Sequence, residues 1–581
     1  MQKEFYLSNG KAMIDFTVKY CASSEQLLDS DGFKEVFESY LDKIKDKNSN
    51  IYFYLKNGIR YDDNKKILYN VLNILKLLLV LKSEDIINME PKYEKILSDK
   101  DSFIAFVEDF YTYWRNMERY TIIRNNKVRE GLQNVSFITA NSRFSNLVLS
   151  TYRKIEENEL GFKPKIYRQI PVGGNAGIVL DSCKWYCPKE YEALKDIPFI
   201  DSVVLNLPFI TYPRKNKRDG VFQECFENPL KDKTFDKQDW LCYPAKIGGL
   251  LAFIYFHKDL MAHGVTLCNL FEIATEDEYR GKEPDIIFTF GVKDNDDMKT
   301  IFYDDKKNNI MVGYINYSEK IDYFGYMKKM ILTLHNLIMI KNGNLPIHGA
   351  MVHIILKNGK TANVIIMGDS GAGKSESLEA FRELSEAYIS DMKVVFDDMG
   401  DLRPNNGEKP LAYGTEIGAF VRLDDLDSGY AFREIDRSIF MNPDKINARL
   451  VIPVATYKDI NKGYPVDFFL YANNYEEGGA ELEFFDEANK NKAIDIFTTG
   501  ARVAKGTTTE KGLVKTFFAN PFGPVQRKEV VGKLIQEYFN DFYKNGVRVG
   551  QLRTRLGVKG KASEGPRKAA VKLFDAISGK F

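Results

Sequence analysis

The chain has 581 residues, 44% of them hydrophobic, 13% aromatic and 28% charged, values of a folded protein and not of a disordered or collagen-like polymer. At roughly 100 to 200 residues per domain, this length predicts two to four domains. Lys and Arg number 82 against 81 Asp and Glu, a net charge of +1, so no overall field attracts nucleic acid or an anionic membrane, and any polyanion site must be local.

The opening MQKEFYLSNGK lacks the apolar stretch of a secretory signal, and the run Val71 to Leu81 is broken by Lys76 and too short to span a bilayer. A cytoplasmic protein is expected. Six cysteines, with only Cys183 and Cys187 close together, match neither a disulfide framework nor a paired zinc motif, and are expected to be reduced and mostly buried.

From Asp31 to about Tyr120, apolar residues recur at three and four spacing (Phe33, Val36, Phe37, Tyr40, Leu41, Ile44), which predicts a helical region within residues 1–134. Its Lys and Glu runs read as solvated faces. Residues 135–344 change to short β-branched and aromatic runs (Phe199 to Phe209, Leu250 to Tyr255, Ile286 to Phe290, Ile310 to Ile315) separated by turn residues, the texture of a mixed α/β domain. A helix over Tyr323 to Ile340 closes it before the turn Asn342-Gly343-Asn344.

Residues 345–581 alternate strands and turns: Met351 to Leu356, Val364 to Met367, a helix after Lys374, then Lys393 to Phe396. The predicted class is α/β, with the strand, glycine-rich loop, helix and strand of a nucleotide-binding unit. After Pro524 the chain carries 13 Lys and Arg against 5 Asp and Glu, so the neutral average conceals a basic segment.

The strongest signal is Gly368-Asp369-Ser370-Gly371-Ala372-Gly373-Lys374-Ser375, a complete G-x-x-x-x-G-K-[ST] pattern directly after an apolar strand. Its glycines let successive N–H groups face phosphate oxygens, Lys374 reaches the terminal phosphates, and Ser375 can ligate Mg²⁺. A metal-holding carboxylate is expected at a nearby strand end. Asp391, after Tyr388-Ile389-Ser390, and the pair Asp397 and Asp398, after Phe396, are the rivals; taken alone, each is ordinary turn chemistry.

The loop GDSGAGKSES resembles that of the HPr kinases and fits the GxSGxGKT pattern of the phosphoenolpyruvate carboxykinase family. Tyr323-Phe-Gly-Tyr-Met-Lys328-Lys329 resembles the carboxykinase segment Y-G-G-E-M-K-K, and His348 in Leu345-Pro-Ile-His348-Gly follows Lys329 by 19 residues, as that family's metal-binding lysine and histidine do. Asn447-Ala-Arg449 resembles its E-N-T-R segment, Phe497 to Thr507 its F-x-S-G-[YF]-T-A-K-x-A-G-T, and Thr516 to Gly523 its T-F-S-x-C-F-G. The likeness runs from about Tyr323 to Ile577.

The resemblance implies a divergent member with a carboxykinase-like mononucleotide-binding domain, decarboxylating and phosphorylating oxaloacetate or a similar oxyacid at the expense of ATP, with GTP or pyrophosphate as other donors. Lys329, His348 and an Asp would hold Mn²⁺, with Mg²⁺ on the nucleotide; Lys328, Lys374 and Arg449 would balance phosphoryl charge, and Tyr323 would face the carboxylate or CO2. The partner is a small molecule, with no nucleic acid or membrane expected; the sequence leaves oligomeric state open. Departures keep two alternatives: an HPr-kinase-like protein serine kinase, which the 17-residue separation of Lys374 and Asp391 favours, and a non-catalytic nucleotide-binding protein. The family's T-G-R-S-P-x-D-K stretch is absent, with Arg168 a weak substitute, and Ala562 stands where an adenine-contacting arginine is expected.

Overall fold

The three and four spacing after Asp31 produces helices whose apolar stripes meet. Helix Asp31–Asp46 buries Val36, Phe37, Tyr40, Leu41 and Ile44; Asn64–Leu78 and Lys100–Arg115 turn Ile67, Val71, Phe103 and Phe106 into the same core. Each starts on a side-chain cap: Ser30 accepts from Phe33 N, Asp63 from Lys65 N and Asp99 from Ser102 N.

This computed structural model describes residues 3–47, 49–61, 63–124, 132–163, 172–182, 185–294, 296–369, 371–374, 377, 380–381, 389–423, 434–504, 512–561 and 564–579, with backbone alone at 132–136, 390 and 436. Two compact units emerge: Met1–Ser182 with Ile200–Phe209, and Cys183–Phe199 with Ile210–Phe581. Three regions were expected. No helix among the described residues is long and apolar enough to cross a membrane.

The first unit is not purely helical. Strands Phe5–Ser8 and Lys11–Asp15 form a hairpin, and Lys11–Asp15 continues in parallel pairing to Glu118–Arg124 and then to Ala176–Asp181. Nor does the stretch after residue 135 begin with strands: Leu132–Leu160 is a 29-residue helix, packed on the helical core through Leu149, Tyr152 and Ile155. Arg119 is buried here, its Nη1 donating to the carbonyls of Trp114, Arg115 and Met117 and its Nε to that of Gly173, at 2.6 to 2.8 Å.

In the second unit, Leu250–His257, Ile286–Val292 and Ile310–Asn316 run parallel, flanked by antiparallel Trp240–Ile247 and Thr300–Asp305. A second mixed sheet has the order Tyr464–Pro465, Glu408–Gly414, Ile389–Asn405, Leu345–Leu356, Thr361–Met367, Phe468–Asn473, Arg548–Arg553, Leu482–Phe484. Helix Phe324–Lys341, buried on nearly every face, packs against both Ile310–Asn316 and Leu345–Leu356. Helix Lys528–Lys544 covers one face of the second sheet and Glu564–Ser578 the other.

The predicted short strand Lys393 to Phe396 is part of a 17-residue strand, Ile389–Asn405, so Asp391, Asp397 and Asp398 share one element. That strand pairs antiparallel with Leu345–Leu356, while the strand leading into the glycine-rich loop has Leu345–Leu356 on one side and parallel Phe468–Asn473 on the other. Among the described cysteines, Cys242 is buried, whereas Cys21, Cys187, Cys225 and Cys268 are partly exposed thiols, not the buried ones expected; none of the five forms a disulfide. The basic residues after Pro524 are largely spent on local acids: Arg553 pairs with Glu476 and Glu483, and Arg555 with Glu481.

Candidate active site

Antiparallel pairing builds the centre of the site. His348 lies opposite Met399 and Gly349 opposite Asp398, and the irregular Asp398 backbone, with φ of +141°, lets its carboxylate reach His348 Nε2 at 2.9 Å. Helix Phe324–Lys341 then delivers Lys328 and Lys329. Its start is shaped by Gly325, where any Cβ would lie 2.3 Å from the Tyr323 ring, so only glycine lets that buried tyrosine fold over the first turn.

Asp398 Oδ2 accepts from Lys328 Nζ at 2.6 Å and from Lys329 Nζ at 2.5 Å. Its backbone has φ of +141°, local strain that the cluster of partners holds in place. Glu416, fully buried, lies 3.2 Å from Lys328 Nζ. Burial opposes the Asp398 charge, but the two lysines prevail and hold its carboxyl well below the usual range. Burial raises Glu416 to about 8 in spite of Lys328. It also lowers Lys329 to about 8 against the pull of Asp398, whereas for Lys328 the carboxylates overcome burial and raise the amine.

His348 carries a specific signature. Its Nδ1 is 2.9 Å from the Ala519 carbonyl, which can only accept, so Nδ1 bears the proton. Burial, then Lys374, push the imidazole down to about 4, so the ring is neutral at pH 7 and its Nε2 lone pair faces Asp398 Oδ1 at 2.9 Å. Two acceptors that close call for a cation between them. With the readily deprotonated Lys329 amine alongside, the donors are two nitrogens and a carboxylate, a set that suits a divalent transition ion. Among the described residues no group of three His, Cys, Asp or Glu side chains is arranged for a metal, so lysine is indispensable to this candidate.

Strand geometry separates the rival aspartates. At about 3.3 Å per residue, Asp391 lies roughly 20 Å along the strand from Asp398, opposite Ile355 and exposed. Of the adjacent pair Asp397 and Asp398, it is Asp398 whose carboxylate meets Lys328, Lys329 and His348.

The glycine-rich loop is held from two sides. Asn474 Nδ2 donates to Gly371 O at 2.9 Å, and Thr554 Oγ1 to Ala372 O at 2.7 Å. Gly371 and Gly373 have φ of +78° and +96°, conformations open to glycine at little cost. Lys374 Nζ folds back on Gly368 O at 2.7 Å. Asp369 turns to Arg502, Nε to Oδ2 2.8 Å. Ser370 and Ser375 lie outside the described residues, as do Arg168 and Ala562.

Arg449 is buried, its guanidinium 5.2 Å from the Phe420 ring centroid and its Nε without a hydrogen-bond partner among the described residues. It sits directly opposite Arg422 in the strand pair Gly418–Arg422 and Arg449–Pro453. Like charges in register repel, so this pair favours an anion. Phe420 also stands 5.5 Å from Lys328 Nζ and 6.1 Å from the Tyr323 ring.

Arg218 enters without warning from the sequence. Its guanidinium lies 5.2 Å from the Phe522 ring, whose other close cation is Lys329 at 4.6 Å, and the N–H of Asp219 donates to Tyr326 Oη. Burial lowers its pKa, with Tyr326, Tyr323 and Asp369 opposing. The structure therefore gathers Lys328, Lys329, His348 and Asp398, with His348 against Asp369 of the loop; Tyr323 and Arg449 join through Phe420, Arg218 through Phe522, Glu416 through Lys328, Arg502 through Asp369 and Arg422 opposite Arg449, and Asp391 stays apart. No protein-family model matches the chain, and no curated protein matches it significantly.

Proposed function

We propose that the chain is a metal-dependent phosphotransferase of the phosphoenolpyruvate carboxykinase type, converting oxaloacetate or a closely similar oxyacid and a nucleoside triphosphate into the phosphoenol product, CO2 and the diphosphate. The observation that carries this reading is that Lys329 Nζ and His348 Nε2 both lie within hydrogen-bond reach of the Asp398 carboxylate, beside the loop that carries Lys374. A protein serine kinase needs no such lysine.

In this reading the loop N–H groups and Lys374, released from Gly368 O, hold the polyphosphate. Arg422 and Arg449 neutralise charge on the phosphoryl group in transit. Arg218 and the hydroxyls of Tyr323 and Tyr326 hold the oxyacid carboxylates. The electrons of the breaking C–C bond pass into an enolate as CO2 departs, and the enolate oxygen takes the γ-phosphoryl group while the diphosphate leaves. A divalent ion on Lys329, His348 and Asp398 would supply Lewis-acid stabilisation of that developing negative charge. Lys328 adds a fixed positive charge, and the rings of Phe420 and Phe522 keep water from the cations. Positioning and charge neutralisation supply the rate, with no covalent nucleophile.

The test is a screen of ATP, GTP and pyrophosphate with oxaloacetate and Mn²⁺, following CO2 release and phosphoenol formation. Activity is expected with at least one donor, absent in Lys374→Ala and no longer stimulated by Mn²⁺ in Lys329→Met. Turnover that survives the Lys374 change, or Mn²⁺ stimulation that survives the Lys329 change, refutes the assignment.

A further inference from the structure

A carboxylate inside a phosphate loop is a liability, and the surroundings of Asp369 address it. Asp369 directly follows Gly368, and its side chain is 6% exposed. Arg502, whose side chain is 3% exposed, places Nε 2.8 Å from Asp369 Oδ2. Thr516 Oγ1 donates to the same oxygen at 3.4 Å, and His348 Nδ1 is 3.5 Å from Oδ1. Arg502 and Thr516 come from one two-stranded turn, Ala501–Val503 with Leu513–Lys515, and the close approach depends on Gly500, where a Cβ would collide with Thr516 O.

Two fully buried opposite charges offset each other only as a pair; removing one leaves the other uncompensated in a medium of low polarity. Here the abandoned partner would be a carboxylate within the loop meant for a polyanion. Resting on the reading of that loop as a polyphosphate site, we propose that Arg502 is a positioning residue whose charge cancels Asp369 and holds it away from the phosphates, against His348. Arg502 therefore acts through Asp369 and not by touching the nucleotide, and the pair ties the phosphate loop to the histidine of the neighbouring cluster.

The two roles differ in a double-mutant cycle. Equilibrium fluorescence titration of the full chain with mant-ATP and Mg²⁺ gives the dissociation constants of wild type, Arg502→Met, Asp369→Asn and the double variant. Arg502→Met is expected to weaken binding about tenfold or more, as removal of one partner of a buried charge pair does. Asp369→Asn alone should change it by less than about threefold, and adding it to Arg502→Met should restore affinity to within about threefold of wild type. Arg502→Met binding like wild type, or a double variant as weak as Arg502→Met, overturns the proposal; the latter result would make Arg502 a direct phosphate ligand. If Arg502→Met does not fold, the double variant decides alone: folded with wild-type affinity supports the pair, folded without it overturns it. A wild-type chain that binds none of mant-ATP, mant-GTP and pyrophosphate refutes the loop reading itself, and the pair with it.

Discussion

Arg119 in the first unit and Arg449 in the second are both buried, but their donors are treated in opposite ways. Arg119 spends its Nε and Nη1 on four main-chain carbonyls, and so fastens the end of helix Lys100–Arg115 to the Gly173 segment. Arg449 faces a second arginine across the strand pair and keeps a buried Nε without an acceptor among the described residues. A buried cation saturated by its own backbone has no capacity left for a ligand, whereas one with an idle donor is incomplete until an anion arrives. The first arrangement belongs to stability and the second to binding.

Substitution separates the two most sharply at Arg449. Under the proposed reaction, Arg449→Gln should lower kcat about 100-fold or more, the loss typical of removing one preorganised donor to developing charge. Its thermal midpoint should stay level or rise, because one of two facing arginines is relieved. A stability loss with kcat intact would reverse the comparison. Arg119→Met should do the contrary: kcat within about twofold of wild type, and the first unit destabilised on the order of 3 kcal/mol by the loss of its hydrogen bonds. Hydrogen exchange along Glu118–Arg124 under mild urea reads that loss directly.

The sequence made some of this arrangement legible and hid the rest for physical reasons. Lys328, Lys329, His348 and Lys374 sit in short segments whose spacing survives as pattern, and helix and strand then bring them together. Which aspartate joins them depends on the irregular backbone at Asp398, with φ of +141°, which local composition does not encode. Arg218 lies more than 100 residues before Lys329 in a lysine-rich turn that reads as solvated surface; only its neighbouring Asp219-Gly220 turn marks it. In the first unit, Asn9-Gly10 between two apolar runs was a readable hairpin signal, and both residues have positive φ. Helix Leu132–Leu160 is harder, because Ser, Asn and Thr blur its apolar spacing and packing against the helical core decides its state.

Glu159 extends the comparison to acids and gives its finest test. Glu416 and Glu159 are both fully buried and both raised to about 8, by burial first in each case. Among the described residues neither acid has a hydrogen-bond partner, but Glu416 has the Lys328 amine at 3.2 Å, whereas Glu159 makes no ion pair. Folded Glu159 therefore keeps its proton at neutral pH where the unfolded chain has lost it. Stability linked to it is complete below the ordinary glutamate range, declines as pH rises through neutrality, and has gone once pH passes the folded value near 8. Glu159→Gln, which cannot ionise, should flatten that decline, leaving the first unit about 2 kcal/mol more stable than wild type above pH 8. Urea midpoints of both proteins between pH 5 and pH 9 measure the difference. Parallel curves would mean that Glu159 finds a cation in solution, and buried acids in the two units would then be handled alike.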